Sequence, residues 1–523
     1  MIQNNEQKRT MNTAIKNSQV VGIDLGTTNT VIAFYDDTGK PKIIPNKDGE
    51  MLTPSIVYVG PGLKEILIGT AARNMMMLEP KRVLKEVKRD VGTDKVYFEE
   101  NGQAITPEWC QAQILRYERE SAIKYFGEDR AASKVEITVP AYFTEKERQS
   151  VKRSGELAGG EILRLINEPT AAGLAHGIAE KQGDRMVVVL DFGGGTFDAS
   201  LLKYSGGHAD VLASHGDKKL GGSDVDNLLL QRVCEEFRKQ HGLEVSADSH
   251  PADFFRIWEE VIRQKHMLGS RTKVKICVAV GDKQVVVPVT RQELAAFIQP
   301  LMDRVEKVIH EMIQNANVKL AEVQQVLLIG GSSRLVPYQE RVQRVFGKDK
   351  IGGGQVSPDL AVAEGAIIDA VKVVNSGGNA LVGESLQAIP APPITHTDVM
   401  PHSLGVAVQD RVSAATYCSV ILERNTPIPC QATRRYASVD DRQSRFKVTL
   451  LQGEDGNPSK DCLTIADKEL EFAPRKCTEP SIEVSVAYDD SGMAIVVVRD
   501  LVSGKTEDIT ARFYDKQATS TSK

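Results

Sequence analysis

The stretch VVGIDLGTTNTVIAFY, residues 20–35, decides how the rest of the chain is read. Val20 to Ile23 and Val31 to Phe34 are short β-branched or apolar runs, the pattern of buried strands rather than of helix. The polar centre between them is therefore a turn. One glycine is enough for a hairpin, and Gly26 supplies it. Asp24, Thr27, Thr28, Asn29 and Thr30 are more polar groups than a turn requires. Such residues also favour turns by bonding their own backbone, so this stretch alone leaves two readings open, a plain turn and a phosphate cradle.

The stretch MVVVLDFGGGTFDASLL, residues 186–202, repeats the design: an apolar strand, Asp191, the glycines Gly193, Gly194 and Gly195, Thr196, and a second strand from Phe197. Asp24 and Asp191 both end an apolar run two residues before a glycine, which suggests two related halves facing one ligand. A third glycine turn, Gly330, Gly331, Ser332, Ser333 and Arg334, follows the apolar run at 323–329 and precedes a helical pattern reaching Phe346. Backbone amides at such a turn attract anions, and paired glycines let a ligand approach the main chain. Neither the GxxxxGK[ST] phosphate loop nor the GxGxxG dinucleotide fingerprint occurs in the chain.

In order and spacing, GIDLGTTNTVIA, VPAYFTEKERQSV (139–151), INEPTAAGLAHG (166–177), LDFGGGTFD, LGGSDVD (220–226) and LIGGSSRLVP (328–337) resemble the seventy-kilodalton heat-shock chaperones of the DnaK type. The resemblance covers roughly residues 18–513. Composition agrees with it. The 523 residues suffice for two or three domains with their own cores. Sixty-five basic residues against 70 acidic ones, net −5, give no reason to expect nucleic acid or an anionic membrane as the main partner. No apolar run approaches the ~18 residues of a membrane span. The first residues lack the apolar centre of a secretory signal, so 1–17 reads as a disordered leader. The seven cysteines are unclustered and odd in number, without a CxxC, which argues against a disulfide framework or a zinc site and fits a reducing cytoplasm.

Residues 18–375 alternate apolar strands with helical patterns, an α/β texture. Thr106 and Pro107 start a helix that Gly127 stops, and Thr144 with Glu147 makes a capping box for a helix at 145–158. Residues 376–397 are rich in Gly, Pro and small polar residues and read as a linker. From 398 to 513, HSLGVAV, CSVILER, RFKVTLLQG, SIEVSVAYDD and MAIVVVRD are short strands of an all-β domain, followed by a tail at 514–523. The resemblance implies that residues 18–375 are an actin-like, duplicated ribonuclease-H-like ATPase domain, that 398–513 are a β-sandwich for extended peptide, and that the helical lid of the family is missing here.

It further implies a site. Asp24 and Asp191 would hold hydrated Mg²⁺, with K⁺ as a further cation the resemblance allows. Gly26, Thr27, Thr28 and Asn29 would face the phosphates of ATP or ADP from one half, and Gly193, Gly194, Gly195 and Thr196 from the other. Lys88, in KEVKRDVG, would neutralise the γ-phosphate, and Glu168, in NEPT, would accept from the attacking water. On residues alone Lys88 reads first as a solvated helix lysine, the plain alternative for Glu168 is a helix N-terminal acid, and Asp198 is equally a turn residue. Gly221, Gly222, Gly330, Gly331, Ser332, Arg334, Asp359 and Lys265 would surround the nucleoside, Arg334 stacking on adenine and Lys265 reaching the ribose. Ile262, His266, Gly269 and Leu360 depart from the family pattern there, which puts nucleoside affinity in doubt.

Val406, Gln409, Tyr436, Val439 and Phe446 fall on the family's peptide-pocket or arch positions, and the plain alternative is sandwich core. Arg164 and Asp398 match positions that contact a J-domain co-chaperone. A GrpE-type exchange factor is the other implied partner, and neither nucleic acid nor membrane is expected. Only Ile394, Thr395, His396 and Thr397, after PAPP at 390–393, precede Asp398 where the family has a run of leucines. The linker is therefore expected to be a semi-rigid spacer that docks weakly, so that ATP shifts peptide affinity less than about tenfold. The leading reading is an ATP-driven chaperone that binds apolar peptide. A nucleotide-holding regulatory or dedicated-client module is the alternative, and an actin-fold metabolite kinase a distant third, since no hydroxyl-activating Asp can be placed.

Overall fold

This computed structural model describes residues 19–508 apart from 37, 128, 130, 177–183, 353–355, 377–394, 442, 472–475 and 478. The expected leader, the tail and most of the expected linker lie outside the described residues. The strand Val20–Leu25 pairs antiparallel with Asn29–Tyr35 and parallel with Lys134–Val139, inside a six-stranded sheet. Arg185–Phe192 repeats the arrangement, antiparallel with Phe197–Ser205 and parallel with Gln325–Ile329, in a second six-stranded sheet. Both lead strands are buried nearly throughout, which is why they read as unbroken apolar runs.

Two helices, Glu168–Ala175 and Ala361–Ser376, fill the space between the sheets, and their alanines and Ile367 share one core with Val31, Val187 and Ile329. They approach so closely at Gly365 that a Cβ there would lie 1.7 Å from the Ala171 carbonyl oxygen. Gly365→Ala is expected to force the helices apart and cost ~1–3 kcal/mol, read as a lower urea midpoint with an unchanged slope. An unchanged midpoint would show that this crossing relaxes freely.

The capping signals hold. The helix Pro107–Phe126 starts on Thr106, whose hydroxyl accepts from the Trp109 amide, and ends on left-handed Gly127. Glu145–Leu157 starts on the Thr144–Glu147 capping box. After the third glycine turn comes a 3₁₀ turn, Gly331–Arg334, and only then the helix Val336–Phe346.

The C-terminal strands form two four-stranded sheets around one core that includes Leu404, Leu450, Val484, Val486 and Val498. Two of their strands, Cys430–Tyr436 and Leu463–Glu471, escaped sequence reading because most of their residues are exposed or only half-buried.

The expected spacer is corrected at its end. Thr395–Val399 is a strand, parallel to His208–Asp217 of the second sheet through Thr395, His396 and Thr397, and antiparallel to Pro427–Ile428 through Asp398 and Val399. Backbone pairing needs no leucines, so side-chain apolarity was the wrong guide. The β domain rests on the first domain beside this seam. Met493 is buried in the core under the first sheet, Arg148 donates to the Ser491 carbonyl at 3.4 Å, and His402 bonds the Tyr142 carbonyl at 3.1 Å.

Candidate functional site

The two hairpin turns face each other. A Cβ on Gly194 would lie 1.8 Å from the Thr28 hydroxyl oxygen, and one on Gly195 would lie 2.6 Å from the Thr27 methyl. Glycine is required on this side because the opposite turn carries threonines. The turn at 193–196 is tied to its surroundings by backbone bonds: Gly193 to Thr196, Gly222 to the Gly193 carbonyl and Ser223 to the Gly194 carbonyl. Ser332 donates to the Gly193 carbonyl at 2.7 Å, which joins the third turn to the second. Gly330 has φ +77°, and a Cβ there would lie 2.5 Å from a carboxylate oxygen of Asp191.

Between these turns lies a cavity of about 750 Å³, within the range of small-ligand sites. Its wall takes in Asp24, Gly26, Thr27, Thr28 and Asn29 from the first turn, and Asp191, Gly193, Gly194 and Thr196 from the second. Lys88, Glu168, Gly222, Lys265, Gly330, Gly331, Ser332, Arg334 and Asp359 complete the placement of the expected residues on it. Gly195 and Gly221 stand behind the wall, where a Cβ on Gly221 would meet the Gly194 carbonyl oxygen at 2.3 Å. The structure thus joins segments up to 335 residues apart in sequence, Asp24 and Asp359, around one space.

Lys88 is no surface lysine. It is buried in a short 3₁₀ turn entered through left-handed Glu86, and its Nζ lies 2.6 Å from Glu168 Oε1. Around that pair stand three aspartates, Asp191 and Asp198 buried and Asp24 half-buried. Burial, then Glu168, pushes Asp24 up to about 7, although Lys88 and the Thr138 hydroxyl at 3.1 Å pull the other way. Asp198 is raised to about 7 for the same leading reasons and accepts from the Tyr142 amide at 3.1 Å. Asp191 is held well above the carboxylate range by burial, Glu168 and Asp198. Four carboxylates around one ammonium leave an excess of buried negative charge, which a cation or a proton must offset. Among the described residues, no three His, Cys, Asp or Glu side chains converge to grip a metal directly.

The nucleoside end has other partners than sequence reading expected. Arg334 pairs with Asp359 at 2.6 Å, and Lys265 is buried against Asp226 at 2.7 Å while donating to the Gly222 carbonyl. Three further residues were missed. Arg89 bridges the halves, donating to the Gly195 carbonyl at 3.1 Å and to Asp224 at 2.7 Å. Asp226 and Trp258 also line the cavity, and the Lys85 ammonium sits 3.8 Å above the Trp258 ring. The stripe Trp258, Ile262, Lys265, Gly269 at helical spacing was the available signal for Trp258.

In the β domain, Val406 and Phe446 are buried in the sandwich core with Tyr436 packed against it, while Gln409 is exposed and Val439 is 37% exposed. The side chains assigned to one pocket are therefore split between core and surface. Arg411, unnoticed in the sequence, donates to the Ser438 carbonyl at 3.0 Å and ties the loop after Gln409 to the one before Val439. Arg164 and Asp398 also differ from expectation. Arg164 is ion-paired with Asp369 and lies beside His396, and Asp398 is buried, accepting from Thr170 at 3.0 Å. Both sit inside the contact between domains rather than on an open face.

A family model described as "Hsp70 protein" matches residues 20–99 and 91–522. Chaperone protein DnaK of Thermosipho africanus (strain TCF52B) is 34% identical over 501 residues, 94% of this chain and 80% of that protein. Chaperone protein DnaK of Thermotoga neapolitana shows the same identity and coverage, and that of Thermosipho melanesiensis is 33% identical over 499 residues.

Proposed function

From the membership of this chain in the Hsp70 family, we propose that it is an ATP-hydrolysing chaperone whose first domain is an actin-like, duplicated nucleotide domain and whose second holds extended peptide. The observation that carries this reading is the buried Lys88–Glu168 pair between two facing turns that follow strands carrying Asp24 and Asp191 near their ends. Phosphates lie against the amides and hydroxyls of residues 26–29 and 193–196, whose backbone is already bonded in place and needs no reorganisation. Lys88 would face the terminal phosphate, and Glu168, 2.6 Å from the Lys88 ammonium, would accept from the attacking water. Mg²⁺ suits the acidic excess and would supply charge neutralisation, with Asp24 and Asp191 as the residues that would hold it through water; K⁺ fits the same excess. Single-turnover hydrolysis of bound ATP, with and without an apolar peptide, tests the reading; no hydrolysis under either condition would overturn it.

The raised carboxylates give a pH dependence with a definite sign. At pH 6, Asp24 and Asp198, both near 7, carry protons that a cation has to displace. At pH 8 they are ionised. Mg²⁺-dependent ATP binding is therefore expected to strengthen by about tenfold or more between pH 6 and pH 8, measured by titration calorimetry. A flat profile would remove Asp24 from cation holding.

Peptide would lie near Val406, Gln409, Tyr436, Val439 and Phe446, reached when the Arg411 contact opens. A J-domain protein and a GrpE-type exchange factor are the proposed partners, with Arg164 and Asp398 offered once the domains separate; the proposed compartment is the cytoplasm. Among the described residues no helix is long and apolar enough to cross a membrane. The second reading, a nucleotide-holding regulatory module, is favoured by the Arg334–Asp359 and Lys265–Asp226 pairs, which occupy groups a nucleoside would use. Steady-state turnover with and without a J-domain protein separates the two.

A further inference from the structure

The strand Thr395–Val399 carries a histidine in a position where only its neutral form fits. His396 is almost fully buried, with Nε2 3.2 Å from Arg164 Nη2 and Nδ1 3.5 Å from Asp369 Oδ1. A guanidinium has donors and no acceptor. Nε2 must therefore accept, and the ring proton must sit on Nδ1, toward Asp369. A second proton would aim an N–H at the Arg164 guanidinium.

The surroundings reinforce this. Arg164 already pairs with Asp369, with Glu136 at 3.9 Å and with Asp490 at 4.0 Å. Lys372, on the same helix as Asp369, is the other cation of the group, and His208 is the titratable neighbour on the paired strand. His208 is itself bonded to Thr395 at 2.6 Å and to Thr397 at 2.9 Å. Burial, then Arg164 and Lys372, holds His396 well below the usual histidine range.

We propose that His396 is a proton-sensitive latch, which keeps the segment between the domains paired to the second sheet while neutral and releases it on taking a proton. The sign follows from linkage. The docked state binds fewer protons at this ring than the released state, so His396 favours docking at pH 7.5 and loses that contribution as pH falls below ~6.5, the ordinary value of a free imidazole. Glu136, raised to about 8, and Glu145, raised to about 7, both by burial, act in the opposite direction if release exposes them, and His402, lowered to about 4 by burial, acts in the same direction. The test is therefore a comparison of two proteins that differ only at 396.

Glutamine in place of His396 can accept from Arg164 and donate to Asp369 without titrating. The docking constant, taken from small-angle X-ray scattering of the full chain as a two-state mixture, is measured for wild type and His396→Gln at pH 7.5, 6.5 and 5.5. The wild-type to variant ratio is expected to fall about tenfold between pH 7.5 and 5.5. A ratio constant within twofold overturns the latch. A second readout decides if one state dominates throughout or the glutamine protein does not fold: the wild-type His396 imidazole resonance, assigned by its loss in His396→Gln or His396→Leu. Titration below pH 5.5 in the docked protein supports the proposal, and titration near 6.5 overturns it.

Discussion

Replacing Lys88 with alanine is expected to lower single-turnover hydrolysis of bound ATP by ~10²-fold or more while leaving ATP binding measurable. The size follows from the surroundings. Lys88 is the ammonium set against Glu168 at 2.6 Å, amid Asp24, Asp191 and Asp198, all of which are pushed toward their neutral forms. Without it the carboxylates hold their protons more tightly and the terminal phosphate faces uncompensated acid. Binding persists because the bonded turns at 26–29 and 193–196 are unchanged. Lys88→Arg is expected to restore little, since a planar fork does not fill the place of a compact point charge in a buried turn. Full turnover in Lys88→Ala would remove the catalytic assignment.

The second large effect is expected at the seam. Asp398 is buried, accepting from the Thr170 hydroxyl at 3.0 Å and from the Val399 amide at 2.8 Å, and its charge faces buried Arg148. Arg148 spans both domains, bonding the Asn167 side chain, the Ala141 carbonyl at 3.3 Å and the Ser491 carbonyl at 3.4 Å. Asp398→Ala removes the acceptor of the Thr170 hydroxyl and a carboxylate whose charge favours the buried Arg148 guanidinium, a change of the kind that costs ~1–3 kcal/mol, or about tenfold or more in the docking constant. Scattering at neutral pH should then show an extended particle, and the rate at which peptide leaves should no longer respond to ATP. A compact particle would mean that strand pairing alone holds the domains together.

These expectations rest on different kinds of information. Hairpin strands, glycine turns, the acid at each strand end and the helix caps were readable from sequence because each depends on residues close together in the chain. Gly26 follows Asp24 by two residues, and Thr144 meets Glu147 across one helical turn. Repetition of the local pattern at 191–196 was enough to predict two turns that face each other. The strands Cys430–Tyr436 and Leu463–Glu471 were hidden because their exposure erased the alternation that marks a strand.

By itself, then, the sequence determined the buried strands with their turns, the helix caps and the acidic, glycine-rich character of the site. Tertiary structure alone decided which ends meet: Lys88 with Glu168 across 80 residues, Arg89 with Asp224, and Asp398 with Thr170 across 228. It also decided that residues 395–399 dock, through main-chain pairing whose donors and acceptors are the same whatever the side chains. The physical reason is common to all of these. Local conformation is set by neighbours in sequence, whereas the charge state of a carboxylate, the burial of a lysine and the partner of a strand are set by what the fold brings alongside.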